Sequence, residues 1–163
     1  MSAIFSYEIT GQERVITALA SLKSEWVDLT RVEKSLTQKF EDANRVQFAS
    51  EGGKSGGWEK LSDAYAREKA KTHPGKTILR RDDHLYDALT ESDSDAIRVF
   101  DKLEAQMGAG GEAGLIGAWH QLGKGHLPVR EVLAYDSTDI SDYRAIIVDD
   151  ARDYAEALGF EAI

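Results

Sequence analysis

Cysteine is absent from this 163-residue chain, which excludes a disulfide framework and any thiolate metal site. No apolar run approaches the length of a membrane-spanning helix, so the sequence predicts no transmembrane segment and no membrane partner. The first ten residues, MSAIFSYEIT, lack the basic and long apolar regions of a secretory signal, so export is not expected. Together these absences are consistent with an intracellular origin.

Basic residues are also scarce, because 20 Lys and Arg stand against 29 Asp and Glu, giving a formal net charge of −9. Proteins that grip nucleic acid neutralise its phosphates with Lys and Arg, so general DNA binding is not expected. The one basic run, REKAKTHPGKTILRR from Arg67 to Arg81, is interpreted as a solvated helix and loop. The length of the chain and its 42% hydrophobic content predict a single domain over 1–163.

The N-terminal third predicts a short strand followed by one long helix. Residues 1–10 alternate between apolar and polar side chains, which is typical of a strand, and Thr10 precedes Glu13 in the spacing of a helix-starting capping box. No proline or glycine interrupts residues 12–51, so we expect a helix over 11–50, with a kink or break near 28–32. Its apolar stripe packs either on a sheet of the same subunit or on a neighbouring subunit. The residues of that stripe are Val15, Leu19, Leu22, Trp26, Leu29, Leu36, Phe40 and Ala43.

The segment 51–57, EGGKSGG, contains four glycines and is predicted to be a flexible, exposed loop. Gly53-Lys54-Ser55 resembles the end of a phosphate-binding P-loop, but Phe48 stands where that motif needs its first glycine. A P-loop also follows a strand, whereas a helix is predicted here. We therefore assign no nucleotide site and no cofactor.

The rest of the chain predicts short helices, a hairpin and a final helix. Helices are expected over 62–71, with Ser62 as its N-cap, and over 82–90. Alternation predicts a strand over 96–107, a glycine-rich turn over 108–114 and a second strand over 115–119. A last amphipathic helix begins at 137–139 and ends at Gly159. The fold class is therefore α+β, with a long N-terminal helix and shorter helices packed on a small antiparallel sheet.

The segment from Ile116 to Leu133, IGAWHQLGKGHLPVREVL, is predicted to be a shaped loop rather than flexible filler. Its glycines permit unusual backbone angles, and Pro128 fixes its own φ and favours an extended residue before it. His120 and His126 make a catalytic interpretation tempting. With Asp83 and His84 they form a metal or acid–base cluster only if the fold brings all four together.

Other catalytic signals are weak. The sequence contains no G-x-S-x-G, H-E-x-x-H or C-x-x-C motif. The acidic pairs at 82–83 and 149–150 fall on predicted helices, where adjacent side chains point about 100° apart, so neither pair makes a two-carboxylate clamp. We therefore expect no catalytic and no metal site.

Three sequence blocks resemble the virion-morphogenesis or tail-completion proteins of tailed bacteriophages, notably the Mu-like type. The first block is GWEKLS at 57–62, followed by Tyr65 and Lys69; the second runs from Ile78-Leu79 to Leu85 and Leu89. The third is GAWHQLG at 117–123 followed by LPVR at 127–130 and Val132-Leu133, which resembles the family's His-Gln-aromatic-Gly loop and its apolar-Pro-small-Arg element. The blocks span about two thirds of the chain. Residues 81–83 and Leu122 depart from the family pattern, and the long N-terminal helix lies outside the resemblance.

The resemblance implies a non-enzymatic structural protein that completes the tail and joins it to the head at the neck. It implies a homo-oligomeric ring, contacts with tail-tube, tail-terminator or head-connector proteins, and a virion location after assembly in the bacterial cytoplasm. DNA would at most pass through a lumen, which an acidic surface would suit. A tail terminator or head–tail adaptor of another neck layer is an alternative. A small His/Asp hydrolase and a regulatory binding module are alternatives of other classes.

Seven residues are candidates for shaping the loop or an interface: Trp58, Trp119, His120, Gln121, Gly123, Pro128 and Arg130. Aromatic residues and arginine are enriched at interfaces, so Trp119 and Arg130 are expected to project from the loop towards a partner. The alternatives are that Trp119 is buried beneath the loop and that Arg130 forms an internal ion pair. His120 is expected to be a structural hydrogen-bonding residue.

Overall fold

Five α-helices and one two-stranded antiparallel sheet make up residues 27–158, the part of the chain that this computed structural model describes. The helices are α1 (Glu33–Ala49), α2 (Asp63–Thr72), α3 (His84–Thr90), α4 (Gly111–Leu122) and α5 (Ser137–Ala157). The strands are β1 (Ala96–Phe100) and β2 (Ala105–Ala109), and two 3-10 helices span Leu29–Val32 and Gly53–Ser55. This architecture confirms the predicted α+β class.

Helix α1 confirms the C-terminal half of the predicted long helix. Its apolar stripe is buried as expected, with Leu36, Phe40 and Ala43 each less than 5% exposed. At 28–32, where the sequence indicated a kink or break, the chain forms a 3-10 helix whose second amide, that of Thr30, donates to the Asp28 carboxylate at 3.1 Å. The predicted strand over 1–10, the capping box after it and the helix before residue 27 lie outside the described residues.

The predicted helix boundaries hold where a capping side chain marks them. The Ser62 hydroxyl accepts the amide of Tyr65 at the start of α2, as its N-cap position predicts. Helix α3 begins two residues later than expected, because Asp83 takes a left-handed conformation with φ of 64°. Helix α5 begins with a reciprocal capping box between Asp136 and Asp139.

The predicted strand over 96–107 is wrong, because this segment folds back on itself. Strands β1 and β2 pair antiparallel, with Ala96 opposite Ala109 and Phe100 opposite Ala105. The turn between them is DKLE, which has neither glycine nor proline to mark it. An alternating pattern of period two continues through a tight turn, so periodicity alone does not locate the reversal.

The predicted turn over 108–114 and strand over 115–119 are also wrong, because residues 111–122 form helix α4. Glycine destabilises the interior of a helix, but here close packing leaves no room for a larger residue. A Cβ on Gly114 would lie 2.5 Å from the Ala109 carbonyl oxygen, and one on Gly117 would lie 3.2 Å from a methyl group of Leu85. The glycines of α4 therefore let the helix approach β2 and α3.

A single cluster of buried side chains joins these elements. Helix α1 packs against α3 and α5, and α3 also contacts α4 and both strands. The cluster contains Phe40, Phe48, Trp58, Ile78, Leu85, Ala88, Leu89, Ala113 and Val132. None of the helices within 27–158 has the length and apolar character needed to cross a membrane.

The glycine-rich segment 51–57, expected to be a flexible loop, has a defined conformation instead. It contains the 3-10 helix Gly53–Ser55, and the amide of Lys54 donates to the Gln47 side-chain oxygen at 3.2 Å. The Lys54 ammonium group also forms an ion pair with Asp139 of α5. Composition indicated flexibility, but side chains from distant parts of the chain hold the segment.

Candidate assembly interface

An exposed apolar stripe runs along helix α4. Leu115, Trp119 and Leu122 recur at steps of four and three, which places them on one face of the helix. They are 46%, 48% and 57% exposed, so this face has no cover within the part of the chain that the structure describes. Trp119 is therefore exposed and not buried beneath the loop, but it projects from helix α4 rather than from the loop as expected. We call these three residues the α4 stripe.

The chain turns back sharply at the end of the α4 stripe. Gly123 adopts a left-handed conformation with φ of 60°, and a Cβ at this position would meet the Val129 side chain at 2.7 Å. Val129 is itself exposed and so extends the apolar surface beyond the helix. Gly123 thus has the loop-shaping role that the sequence predicted.

Gln121 fixes the return path of the loop from the opposite face of α4. Its side-chain oxygen accepts the backbone amides of Val132 at 2.7 Å and Leu133 at 3.0 Å. Val132 is buried in the core, so this amide joins the surface loop to the packed interior. Gln121 is therefore a loop-shaping residue rather than a contact residue.

Arg130 does not project towards a partner, which corrects the sequence-based expectation. Its side chain is 4% exposed, its Nε donates to the Glu59 carbonyl oxygen at 3.0 Å, and its backbone amide donates to the His120 carbonyl oxygen at 2.8 Å. The alternative of an internal residue that holds the loop is closer to the structure. Neutral acceptors take the place of the ion pair in that alternative, since no carboxylate within 27–158 forms an ion pair with Arg130.

His120 is a structural hydrogen-bonding residue, as expected. The Arg130 Nη1 lies 3.3 Å from His120 Nδ1. Because a guanidinium can only donate, Nδ1 accepts this bond and the ring proton of the neutral imidazole lies on Nε2. Burial, together with the Arg130 charge, lowers the pKa of His120 below its usual value.

Trp58 and Pro128 complete the set of candidate residues. Trp58 is buried, its ring packs edge-on against Phe48 with centroids 5.3 Å apart, and its Nε1 donates to the Glu131 carbonyl oxygen at 2.9 Å. It therefore supports the loop from below and is not a contact residue. Pro128 lines a cavity beside the loop.

The histidine and aspartate cluster that a catalytic interpretation required does not assemble. Asp83 pairs with Lys76 and Arg80, and His120 contacts Arg130. His126 lines the same cavity as His120, but no hydrogen bond joins the two within the described part of the chain.

His84 pairs with neither Asp83 nor His120 and instead lies next to two other aspartates, Asp93 and Asp95. Its Nε2 is 3.1 Å from the Asp95 carboxylate and 3.9 Å from that of Asp93, and ligand atoms of the three residues lie close enough together to hold a metal ion. Both carboxylates already have local roles, however. Asp95 accepts the Ala113 amide near the start of α4, and Asp93 accepts the Asp95 amide. We assign the group to local structure.

The comparisons with known proteins give no family. No family model matches the sequence, and no curated protein or solved structure matches the chain. The resemblance to tail-completion proteins therefore rests on the three sequence blocks alone.

Two polar residues that hold the site together were not predicted from the sequence. Gln47 of α1 is fully buried, and its amide nitrogen donates to the Glu131 carbonyl oxygen at 2.8 Å and to the Ser55 hydroxyl at 3.2 Å. Asp139 is 3% exposed and pairs with both Lys54 and Lys39. The signal for Gln47 was its position on the apolar stripe of α1, where a polar residue needs buried hydrogen-bond partners.

Proposed function

We propose that this protein is a non-enzymatic structural protein of a tailed bacteriophage, which completes the tail and joins it to the head at the neck. The α4 stripe carries this proposal. A row of large apolar side chains exposed on one helix face is characteristic of a protein–protein interface. Two of its three residues, Trp119 and Leu122, fall within the sequence block that most resembles the tail-completion family, although Leu122 itself departs from the family pattern.

The contacts between the three resembling blocks give further support. Trp58 of the first block donates to the Glu131 carbonyl within the third, and Arg130 of the third donates to the Glu59 carbonyl within the first. Leu85 of the second block lies against Gly117 of the third. Residues that are far apart in the sequence therefore form one unit, as blocks of one family motif would.

The proposed assembly is a homo-oligomeric ring within the virion, built in the cytoplasm of the host bacterium. A ring requires two different complementary patches on each subunit, and the α4 stripe would be one of them. Its neighbours would be tail-tube, tail-terminator or head-connector proteins, and DNA would pass the net acidic subunits without specific binding. A terminator or adaptor of another neck layer would use the same stripe.

The chemistry of His120 disfavours the hydrolase alternative. A histidine base needs a free ring nitrogen and, in triads, an acidic residue that orients the ring. Here Arg130 occupies Nδ1 and its positive charge opposes protonation of the ring. A cationic orienting group would destabilise the imidazolium that a base must form.

The experiment is complementation of a phage that lacks this protein. Trp119→Ser removes the largest exposed side chain of the α4 stripe, and it should strongly reduce the yield of infectious particles while leaving the free energy of unfolding within about 0.5 kcal/mol of wild type. Leu103→Ser is the matched control, since Leu103 is 72% exposed at the hairpin turn, away from the stripe. Equal yields from the two variants would defeat the assignment of the stripe as the interface.

A further inference from the structure

A cavity of about 520 Å³ lies beside the α4 stripe. Side chains from α2, α4 and the loop after α4 line it, and Trp119 belongs both to the stripe and to the cavity wall. Tyr65 and Trp119 line the cavity and are both exposed, so its walls include aromatic rings that reach solvent. A ligand in this cavity would therefore contact the stripe as well.

Two buried cations line this cavity without a carboxylate partner in the described part of the chain. Lys69 is 5% exposed, and its ammonium group donates to the Thr77 carbonyl oxygen. Arg130 is buried to the same degree and donates to the Glu59 carbonyl oxygen and to His120. All three acceptors are neutral, so within 27–158 neither cation forms an ion pair, and only more distant carboxylates, those of Glu51 and Asp83 for Lys69 and of Glu59 for Arg130, attract the two charges. A buried charge without a counter-charge is strongly unfavourable.

Other half-buried or buried cations of this protein do have acidic partners. Lys54 pairs with Asp139, and Arg98 lies 3.5 Å from the Glu41 carboxylate. The two cations of the cavity thus differ from the pattern of the rest of the described chain.

The acidic residues of the cavity form no ion pair with either buried cation. Glu59 and Asp82 both line it and are exposed, but neither forms an ion pair with Lys69 or Arg130. Asp82 pairs instead with Arg81. Two buried cations that form no ion pair therefore line the same cavity, a setting that suits a further negative group.

We propose that this cavity receives an acidic side chain on an extended segment of a protein partner. The carboxylate would bind Arg130 and Lys69, and an apolar side chain next to it would pack against Tyr65 and Trp119. A guanidinium matches a carboxylate with two parallel hydrogen bonds, and the aromatic walls suit a neighbouring apolar residue. The net charge of −9 opposes a polyanion such as DNA but permits a single carboxylate at this local cationic site.

This inference goes beyond the proposed function, because it specifies the chemistry of a partner whether or not that partner is a phage protein. Its test uses the full 163-residue chain and a pair of peptides, acetyl-Ala-Phe-Glu-Ala-amide and the same peptide with Gln in place of Glu. Peptide binding is followed by NMR through the indole N–H signal of Trp119. We expect the Glu peptide to bind about tenfold more tightly or better, since hydrogen bonds to charged groups contribute more than neutral ones.

A variant pair assigns the selectivity to the cavity. Lys69→Met removes the buried charge while keeping a long side chain, and it should abolish most of the preference for the Glu peptide. Lys71→Met is the matched control, because Lys71 lies on the same helix with an exposed side chain and should leave the preference unchanged. The comparison of the two peptides on the unmodified chain decides the question even if Lys69→Met does not fold.

Three results would overturn the proposal. The first is equal binding, or no binding, of the two peptides. The second is an unchanged preference in Lys69→Met. The third is tighter binding of inorganic phosphate or of a short DNA duplex than of the Glu peptide, which would make this a phosphate site.

Discussion

Asp139→Asn is the most informative single change for the stability of this fold, because Asp139 connects three parts of the chain. Its carboxylate pairs with Lys54 of the glycine-rich segment, lies 3.4 Å from Lys39 of α1, and accepts the Asp136 amide at 3.2 Å in the capping box of α5. Asparagine has nearly the same shape and can still accept that amide. The substitution therefore removes the charge and little else.

The expected loss in the free energy of unfolding depends on whether the two lysines keep another acidic partner. Removing one member of a buried ion pair costs about 3–5 kcal/mol, because it leaves the partner charge uncompensated. Lys39 keeps a second partner, Asp142, at 2.5 Å, so we expect a cost at or below the lower end of that range, about 2–3 kcal/mol. For a chain of this size that loss corresponds to a fall in Tm of about 4–12 °C.

Urea unfolding followed by circular dichroism measures the effect, with Asp142→Asn as the control. Asp142 is about half exposed, and a surface pair contributes about 0–1 kcal/mol. Burial by itself would raise the pKa of Asp139, but the bonds from Lys54, Asp136 and Lys39 lower it below its usual value. A carboxyl whose pKa is depressed by folding stabilises the protein above its unfolded pKa and loses that contribution as the pH falls through the folded value.

The difference between wild type and Asp139→Asn should therefore be constant near neutral pH and shrink below about pH 4. Losses from the two variants that agree within about 0.5 kcal/mol would refute the connecting role of Asp139.

Two further stability predictions follow from close packing and from burial. Gly114→Ala should destabilise the protein by about 1–3 kcal/mol, despite the better helix propensity of alanine, because the new Cβ would meet the Ala109 carbonyl oxygen. Gly108→Ala, whose Cβ would meet nothing within 4 Å, is the control, and equal losses in urea unfolding would contradict the packing argument. The lowered pKa of His120 means that the unfolded chain binds more protons between the folded pKa and about 6.5, so this residue makes stability fall as the pH drops through that window. In urea unfolding between pH 5 and 7.5, the stability of His120→Gln should fall less at low pH than that of the wild type. Parallel pH profiles for variant and wild type would contradict the assignment of this pH dependence to His120.

Helical features with a local cause were predictable from the sequence. The apolar stripe of α1 and the Ser62 cap of α2 are set by side chains within one or two turns, so periodicity and capping rules locate them. The final helix follows for the same reason, since its capping residues are close together in the chain.

The hairpin and α4 were not predictable because their causes are tertiary. Gly114 belonged to the predicted turn and Gly117 to the predicted strand, yet both are in α4, where Ala109 of β2 and Leu85 leave little space for a side chain. The reversal at DKLE has neither glycine nor proline to mark it, and it forms where β1 and β2 pair.

The residues of the candidate site also divide into those with a local cause, which the sequence indicates, and those whose partners are distant in the chain. Gly123 could be interpreted as loop-shaping, because glycine permits unusual backbone angles, but the helix that it ends was not predicted. The burial of Arg130 could not, since its partners are a backbone carbonyl some seventy residues earlier and a histidine on α4. Lys69 appeared to be one more solvated charge in a basic run, and only the packing of α2 against the loop shows it to be buried.

The mass of the protein in solution, with and without tail-tube protein, tests the central claim most directly. Sedimentation velocity on the full chain should show an oligomer or a complex with tubes, and Trp119→Ser should shift the population towards monomer while Leu103→Ser does not. A chain that stays monomeric at high concentration and ignores tail tubes would contradict the proposed role in the phage neck.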